Sequence, residues 1–189
     1  ARMASSRFPG KPLANETGKP LIQHVYERVH AAARVDRILV ATDDQRICNA
    51  VASFGGEAVM TSPDHPNGTS RIAEAIGDIE CDYVLNVQGD EPLIEPAAIN
   101  AAIDALENDA EASMSTVACP FGENEDAADP NLVKVVRDSV CRAIYFSRSL
   151  IPNTQRASGP HAEPLRHIGL YVYRRDFLAV FASLEPTPL

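Results

Sequence analysis

The 189-residue sequence has no tryptophan, only four cysteines, no long apolar run and a shortage of positive charge. Each shortage excludes something. Cys48, Cys81, Cys119 and Cys141 are widely spaced, form no C-x-x-C pair, and lie in apolar stretches where a thiol acts as a small hydrophobe. A reduced, cytoplasmic protein is expected. No run reaches the roughly 20 apolar residues that cross a bilayer, and no basic-then-apolar secretory signal opens the chain, so no membrane partner is expected. Lys and Arg number 17 against 26 for Asp and Glu, a formal charge of −9. Sequence-independent nucleic-acid binding needs the opposite balance, so no nucleic-acid partner is expected and any anionic ligand must be held by a local basic cluster. With 45% hydrophobic and 23% charged residues, the chain has the make-up and length to bury one ordinary globular core.

What is present alternates between two periods. Pro20 precedes Leu21, Ile22, Val25, Tyr26 and Val29, an apolar stripe at helical spacing, and a short strand follows at 37–42. Asp43 or Asp44 can cap a second helix carrying Ile47, Val51 and Phe54, which Gly55-Gly56 ends. Further strands are expected at 57–61, 82–88 and 112–119, with helices from Thr69 and from Pro96 between them. This alternation predicts an α/β protein with a mostly parallel sheet and helices on both faces. Beyond Asp129 the rhythm changes to a hairpin around Asp138-Ser139, a strand at 166–173 and a helix from Asp176 to Leu184, giving a small β-rich sub-region near the C-terminal part. The Pro-, Asn- and Ser-rich stretch 152–164 reads as a mobile surface loop.

Four stretches could carry chemistry. Arg2 to Lys11 places three cations and two hydroxyls among small residues, either a cradle for a polyphosphate or a solvated basic loop. Its position after a first strand would put it at the carboxyl edge of the sheet, where open α/β sheets bind ligands. The strand ending Asn86-Val87-Gln88-Gly89-Asp90 puts a carboxylate at that edge, so Asp90 is either a ligand for Mg²⁺ or a turn residue capping the Pro96 region. Gln88, an amide at the end of an apolar strand, must find partners. In Asn67-Gly68-Thr69-Ser70-Arg71, capping alone would explain Thr69, but Arg71 opposes the positive helix end and implies a nearby acceptor. In Arg166 to Tyr173, strand alternation sends His167, Gly169, Tyr171 and Tyr173 to one face, a polar binding wall or a core with bonded phenols. Arg148, ending the neighbouring strand, is a carboxylate reader or a plain surface arginine.

Together A-R-M-A-S-S-R-F-P-G-K-P-L, V-A-T-D, N-G-T-S-R, V-L-N-V-Q-G-D-E-P, N-L-V-K-V-V, A-I-Y-F-S-R and R-H-I-G-L-Y-V-Y resemble the 3-deoxy-manno-octulosonate cytidylyltransferases, the CMP-Kdo synthetases, along essentially the whole chain. The resemblance implies a Rossmann-like nucleotidyltransferase sheet. It implies a homodimeric enzyme that transfers CMP from CTP to 3-deoxy-D-manno-octulosonate (Kdo) for lipopolysaccharide biosynthesis, with Mg²⁺ as cofactor. By position, Arg2, Arg7 and Lys11 are expected at the triphosphate, with Arg7 and Lys11 assisting catalysis, and Asn67 and Arg71 at the cytidine. Asp90 is expected to hold catalytic Mg²⁺, and Gln88, Arg148, His167 and Tyr171 to line the sugar pocket. Residues 1–189 are expected to form a single nucleotidyltransferase domain, a fragment lacking the family's first strand and C-terminal segment. The family's S-G-T-[DE]-R appears as Asn67 to Arg71, and a later family arginine is matched only by Arg156 in a shifted register. Two other readings stay open: a nucleotidyltransferase for another acidic sugar such as sialic acid, and a nucleotide-binding fragment without turnover.

Overall fold

The structure, a computed structural model, describes residues 1–3, 8–153, 162–185 and 187. It is an α/β fold whose chain divides into two compact units, Ala1–Ser115 with Leu170–Leu189, and Thr116–Gly169.

In the first unit the apolar stripe becomes α1 (Leu21–His30), which follows Pro20 and buries Ile22, Val25 and Val29. Strand β1 (Leu39–Thr42) runs parallel to β2 (Glu57–Met60), in register from Leu39 opposite Glu57 to Thr42 opposite Met60. Between them lies α2 (Gln45–Ser53), capped by the Asp44 carboxylate, which accepts from the Arg46 amide at 2.9 Å. Gly55, at φ 81°, supplies the left-handed turn that ends it. Ile22, Val40, Ile47 and Val51 form one buried cluster, flanked by Ala1, Met3, Tyr26 and Phe54. Each such residue removed from water contributes about 1.5–3 kcal/mol.

Helix α3 (Gly68–Ile76) starts one residue before Thr69, because the Asn67 side chain is the cap and accepts from the Ser70 amide at 2.9 Å. Strand β3 (Tyr83–Val87) leads to α4 (Pro96–Glu107), with proline in its first turn and Ile99, Ala102, Ile103 and Leu106 buried. Strand β4 (Met114–Pro120) follows. Residues 170–174, the second half of a strand that spans Leu165–Arg174, lie antiparallel to β3, with Asn86 opposite Tyr171. The closing helix, Arg175–Ala182, brings Leu178 against Val84 and Tyr173 in a second buried cluster.

The second unit is the antiparallel sub-region. Strand β5 (Lys134–Arg137) pairs with β6 (Ala143–Ser147) in the expected hairpin, from Lys134 opposite Ser147 to Arg137 opposite Ala143 with an irregularity after Val136. The other edge of β5 takes the first residues of the 165–174 strand, which is β7, Lys134 lying opposite Arg166. Arg137 and Cys141, the latter at φ 66°, form the tight end of the hairpin.

Candidate active site

Three parts of the first unit meet beyond the carboxyl ends of β1, β2 and β3. The N-terminal segment closes on itself, because the Gly10 amide donates to the Met3 carbonyl at 3.0 Å with Gly10 at φ 77°. Lys11 then opens a single 3-10 turn, Lys11–Leu13. The Lys11 ammonium donates to Asp90 Oδ2 at 2.8 Å, joining this loop to the one after β3 across 79 residues. Asp90 lies in a turn, and the cap position of α4 is Glu95, so Asp90 does not cap that helix. Arg2 reaches the main-chain carbonyl of His65. Arg7, and likewise Arg156, lies outside the described residues.

The Lys11–Asp90 pair is open to water, its side chains 38% and 47% exposed. A pair so exposed contributes only about 0–1 kcal/mol to stability. It is an exchangeable contact, suited to a cation that can turn to phosphate oxygens and a carboxylate that can turn to a metal. Its location is fixed by packing: a Cβ placed on Gly89 would meet Ile22 Cδ1 at 3.2 Å and Ala1 Cβ at 3.7 Å. The loop bearing Asp90 thus rests directly on α1. Gln88, one residue earlier, is exposed, and its carbonyl accepts from the Glu91 amide at 3.2 Å.

Arg71 is the opposite case. Only 2% exposed, it donates to Thr61 Oγ1 at 2.7 Å and to Asp43 Oδ2 at 2.9 Å, while Thr61 Oγ1 donates to the Thr42 carbonyl at 3.1 Å. The acceptor that its place in the first turn of α3 required is therefore Asp43. Arg71 ties α3 to the ends of β1 and β2, and its Nε alone has no hydrogen-bond partner. The Asn67 amide oxygen is occupied by its capping role.

Beside this rim lies a pair that sequence reasoning missed. His65 Nε2 contacts Glu74, whose oxygens also accept from the Ser62 amide at 3.1 and 3.2 Å. The bond from His65 first, and the Ser62 amide second, hold the Glu74 carboxyl below its usual value. Tyr171 is half-buried, its ring 6.3 Å from that of Tyr173. Burial, then the neighbouring Tyr173, pushes its phenol upward. The Tyr173 hydroxyl shares hydrogen bonds with Thr69 and Asn86, so Tyr173 belongs to the core with a satisfied phenol.

In the second unit, His167 Nε2 lies 2.9 Å from Thr116 Oγ1, and the Phe146 ring stands edge-on at 4.8 Å between centroids. Burial lowers the His167 pKa, so its imidazole is neutral at pH 7. Thr116 was not singled out in the sequence; 51 residues separate it from His167, and only the pairing of strands brings them together. Arg148 is exposed and its Nη1 donates to the Pro130 carbonyl at 2.9 Å. The structure thus joins Lys11 with Asp90 and sets Arg2, Asn67, Arg71, Gln88 and Tyr171 in the same unit, while Arg148 and His167 belong to the other. Among the described residues no three or more His, Cys, Asp or Glu side chains cluster as a metal site.

The family model for cytidylyltransferases matches residues 1–189, the whole chain. The chain belongs to the cytidylyltransferase family. Among curated relatives of this cytidylyltransferase, a 3-deoxy-manno-octulosonate cytidylyltransferase of Syntrophotalea carbinolica is 51% identical over 196 residues, covering 100% of the chain and 78% of the relative. A protein of the same name from Geobacter metallireducens is 49% identical, again over 100% and 78%. A solved structure of CMP:2-keto-3-deoxy-manno-octonic acid synthetase complexed with CTP superposes with a TM-score of 0.91 at 44% identity, covering 100% of this chain and 77% of that one. No helix among the described residues is long and apolar enough to cross a membrane.

Proposed function

We propose that this cytidylyltransferase transfers CMP from CTP to the anomeric hydroxyl of Kdo, releasing pyrophosphate, in the cytoplasmic stage of lipopolysaccharide biosynthesis. The observation that carries the reading is the 44% identity, at a TM-score of 0.91, to a synthetase of this sugar solved with CTP. The Lys11–Asp90 contact supports placing the phosphate chemistry at the rim beyond β3.

In the reaction, a bond forms between the anomeric oxygen and the α-phosphorus while the α–β phosphoanhydride bond breaks, and pyrophosphate leaves. Such transfer asks a protein mainly for alignment and charge neutralisation, and no side-chain nucleophile is needed. Lys11, with Arg2 and with Arg7 four residues before it in the sequence, neutralises triphosphate oxygens. Asn67 and Arg71 stand on the cytidine side. Gln88, Tyr171, His167 and Arg148 bind the acidic sugar, His167 as a neutral hydrogen-bonding group and Arg148 as the reader of its carboxylate.

Asp90 would hold Mg²⁺. Its carboxylate is exposed and, among its described contacts, is joined only to a solvent-exposed lysine. That donor set fits an ion which takes one or two carboxylates and completes its shell with phosphates and water. When bound there, a divalent cation supplies charge neutralisation and lowers the pKa of a coordinated hydroxyl.

A homodimer is proposed as well. The hairpin leaves Ile144 67% and Phe146 41% exposed at alternate positions of β6, which share one face of the strand, and Val140 69% exposed in the turn before it, apolar surface of the kind that a second copy covers.

Pyrophosphate release is measured with CTP, Mg²⁺ and Kdo, and again with sialic acid. Release with Kdo at least 100-fold faster than with sialic acid is expected on the scale by which a site rejects an analogue it was not built to bond. Equal rates would overturn the choice of sugar. Calorimetric CTP binding without release for either sugar would make the chain a nucleotide-binding module.

A further inference from the structure

Lys134, the first residue of β5, is completely buried. Its ammonium donates to three main-chain carbonyls: Asp129 at 2.9 Å, Leu132 at 2.6 Å and Arg148 at 2.5 Å. An ammonium has three donors and no acceptor, so these carbonyls use its full hydrogen-bonding capacity. Nothing is left to offer a substrate. A buried charge is costly, and an apolar side chain of the same length would fill the space at less cost. What the ammonium adds is the power to grip oxygens of two separate segments at once.

The first segment is the turn 129–132. It is shaped by the Leu132 amide donating to the Asp129 carbonyl at 3.1 Å, and by Asp129 Oδ1 accepting from Asn131 N and Nδ2 at 2.8 and 2.9 Å. The second is Arg148, just past β6. The same turn offers the Pro130 carbonyl to Arg148 Nη1 at 2.9 Å. Arg148 is therefore held twice, by its main chain through Lys134 and by its guanidinium through the turn that Lys134 also holds.

We infer that Lys134 is a positioning residue for the sugar: its buried ammonium clamps the main chain of Arg148 to the 129–132 turn and so fixes where the guanidinium meets the sugar carboxylate. This rests on the reading of Arg148 as the carboxylate's partner. A planar, two-pronged contact depends on orientation, and a displacement of about 1 Å at such a group can cost on the order of 100-fold.

Lys134→Met keeps length and apolar volume while removing the three donors. The sugar KM is expected to rise at least tenfold, with the KM for CTP within twofold and kcat at saturating sugar within threefold. Amide hydrogen exchange in 147–150 should quicken while 39–60 stays unchanged. A merely structural role would lower stability without splitting the two KM values. An unchanged sugar KM with unchanged exchange overturns the inference. Arg148→Gln is run in parallel. If it raises the sugar KM and Lys134→Met does not, the clamp is refuted and the Arg148 reading stands. If it leaves the sugar KM unchanged, the Arg148 reading falls, and exchange at 147–150 alone decides whether Lys134 clamps this segment. Should Lys134→Met fail to fold, Asp129→Ala decides, since it loosens the same turn without touching the buried charge: a sugar KM raised about threefold supports the clamp, and no change overturns it.

Discussion

In the unit that carries β1 to β3, Lys11 and Arg71 meet carboxylates, Asp90 at 2.8 Å and Asp43 at 2.9 Å. In the unit that carries the hairpin, Lys134 and Arg148 meet main-chain carbonyls at 2.5–2.9 Å. The difference is chemical as well as geometric. A carboxylate titrates, and it can trade a lysine for a metal. A peptide carbonyl does neither, so the acceptor side of such a contact does not change with pH and offers a metal no carboxylate in exchange. Within the first unit the contrast repeats: the Lys11–Asp90 pair is open to solvent, whereas the Arg71 and Asp43 side chains are only 3% and 18% exposed. One pair is built to exchange and the other to stay.

Removing a permanent pair should cost most. Arg71→Met leaves the largely buried Asp43 carboxylate without its cation and is expected to lower unfolding stability by about 3–5 kcal/mol, read by denaturant titration. A loss below about 1 kcal/mol would mean that this pair is as dispensable as a surface one. Asp90→Asn should do the reverse: turnover falls by at least about 100-fold, about 2.7 kcal/mol on the barrier, while stability moves by less than about 1 kcal/mol. Near-normal turnover would refute Asp90 as metal ligand.

The titrating groups give smaller effects. The His167 pKa is lowered on folding, so the unfolded chain takes the proton first. Its contribution to stability is present above its ordinary value of 6.5 and is lost as pH falls from there through the folded value. His167→Gln should flatten the stability profile just below pH 6.5, and a profile identical to that of the parent would show that burial does not tax the imidazolium. Glu74, also lowered, stabilises above its ordinary value of 4.5, and the benefit is lost as pH falls through the folded value. Glu74→Gln should therefore soften acid denaturation only below about pH 4.5, the smallest change of the set.

The parts of this arrangement that local chemistry controls were legible in the residue order. The helical stripe Ile22, Val25 and Val29, the Asp44 cap and the turn of the β5–β6 hairpin are all short-range and fall where expected. Arg71 was readable too, because a cation in the first turn of a helix demands an acceptor. Asn67 displaced Thr69 as the cap because two capping residues stood two apart, and the one whose side chain reached the Ser70 amide set the start of α3. Distant pairings left no such trace. The pairing of β3 with β7, the Thr116–His167 contact and the three carbonyls around Lys134 depend on which segments become neighbours in space. Lys134 is the plainest case. A lysine beginning an apolar strand reads as a solvent-facing charge until the turn before it and the strand after it close around its tip.

Gly89 has a consequence for how lesions in this enzyme would be diagnosed. It lies against Ile22, which belongs to the packed interior of α1, so an added methyl forces one of the two surfaces back by a few tenths of an ångström. If the helix holds, the neighbouring carboxylate moves instead. A Gly89→Ala variant would then look like a chemical defect in an assay although every reactive group is intact, the fault being one of clearance in the wall behind them.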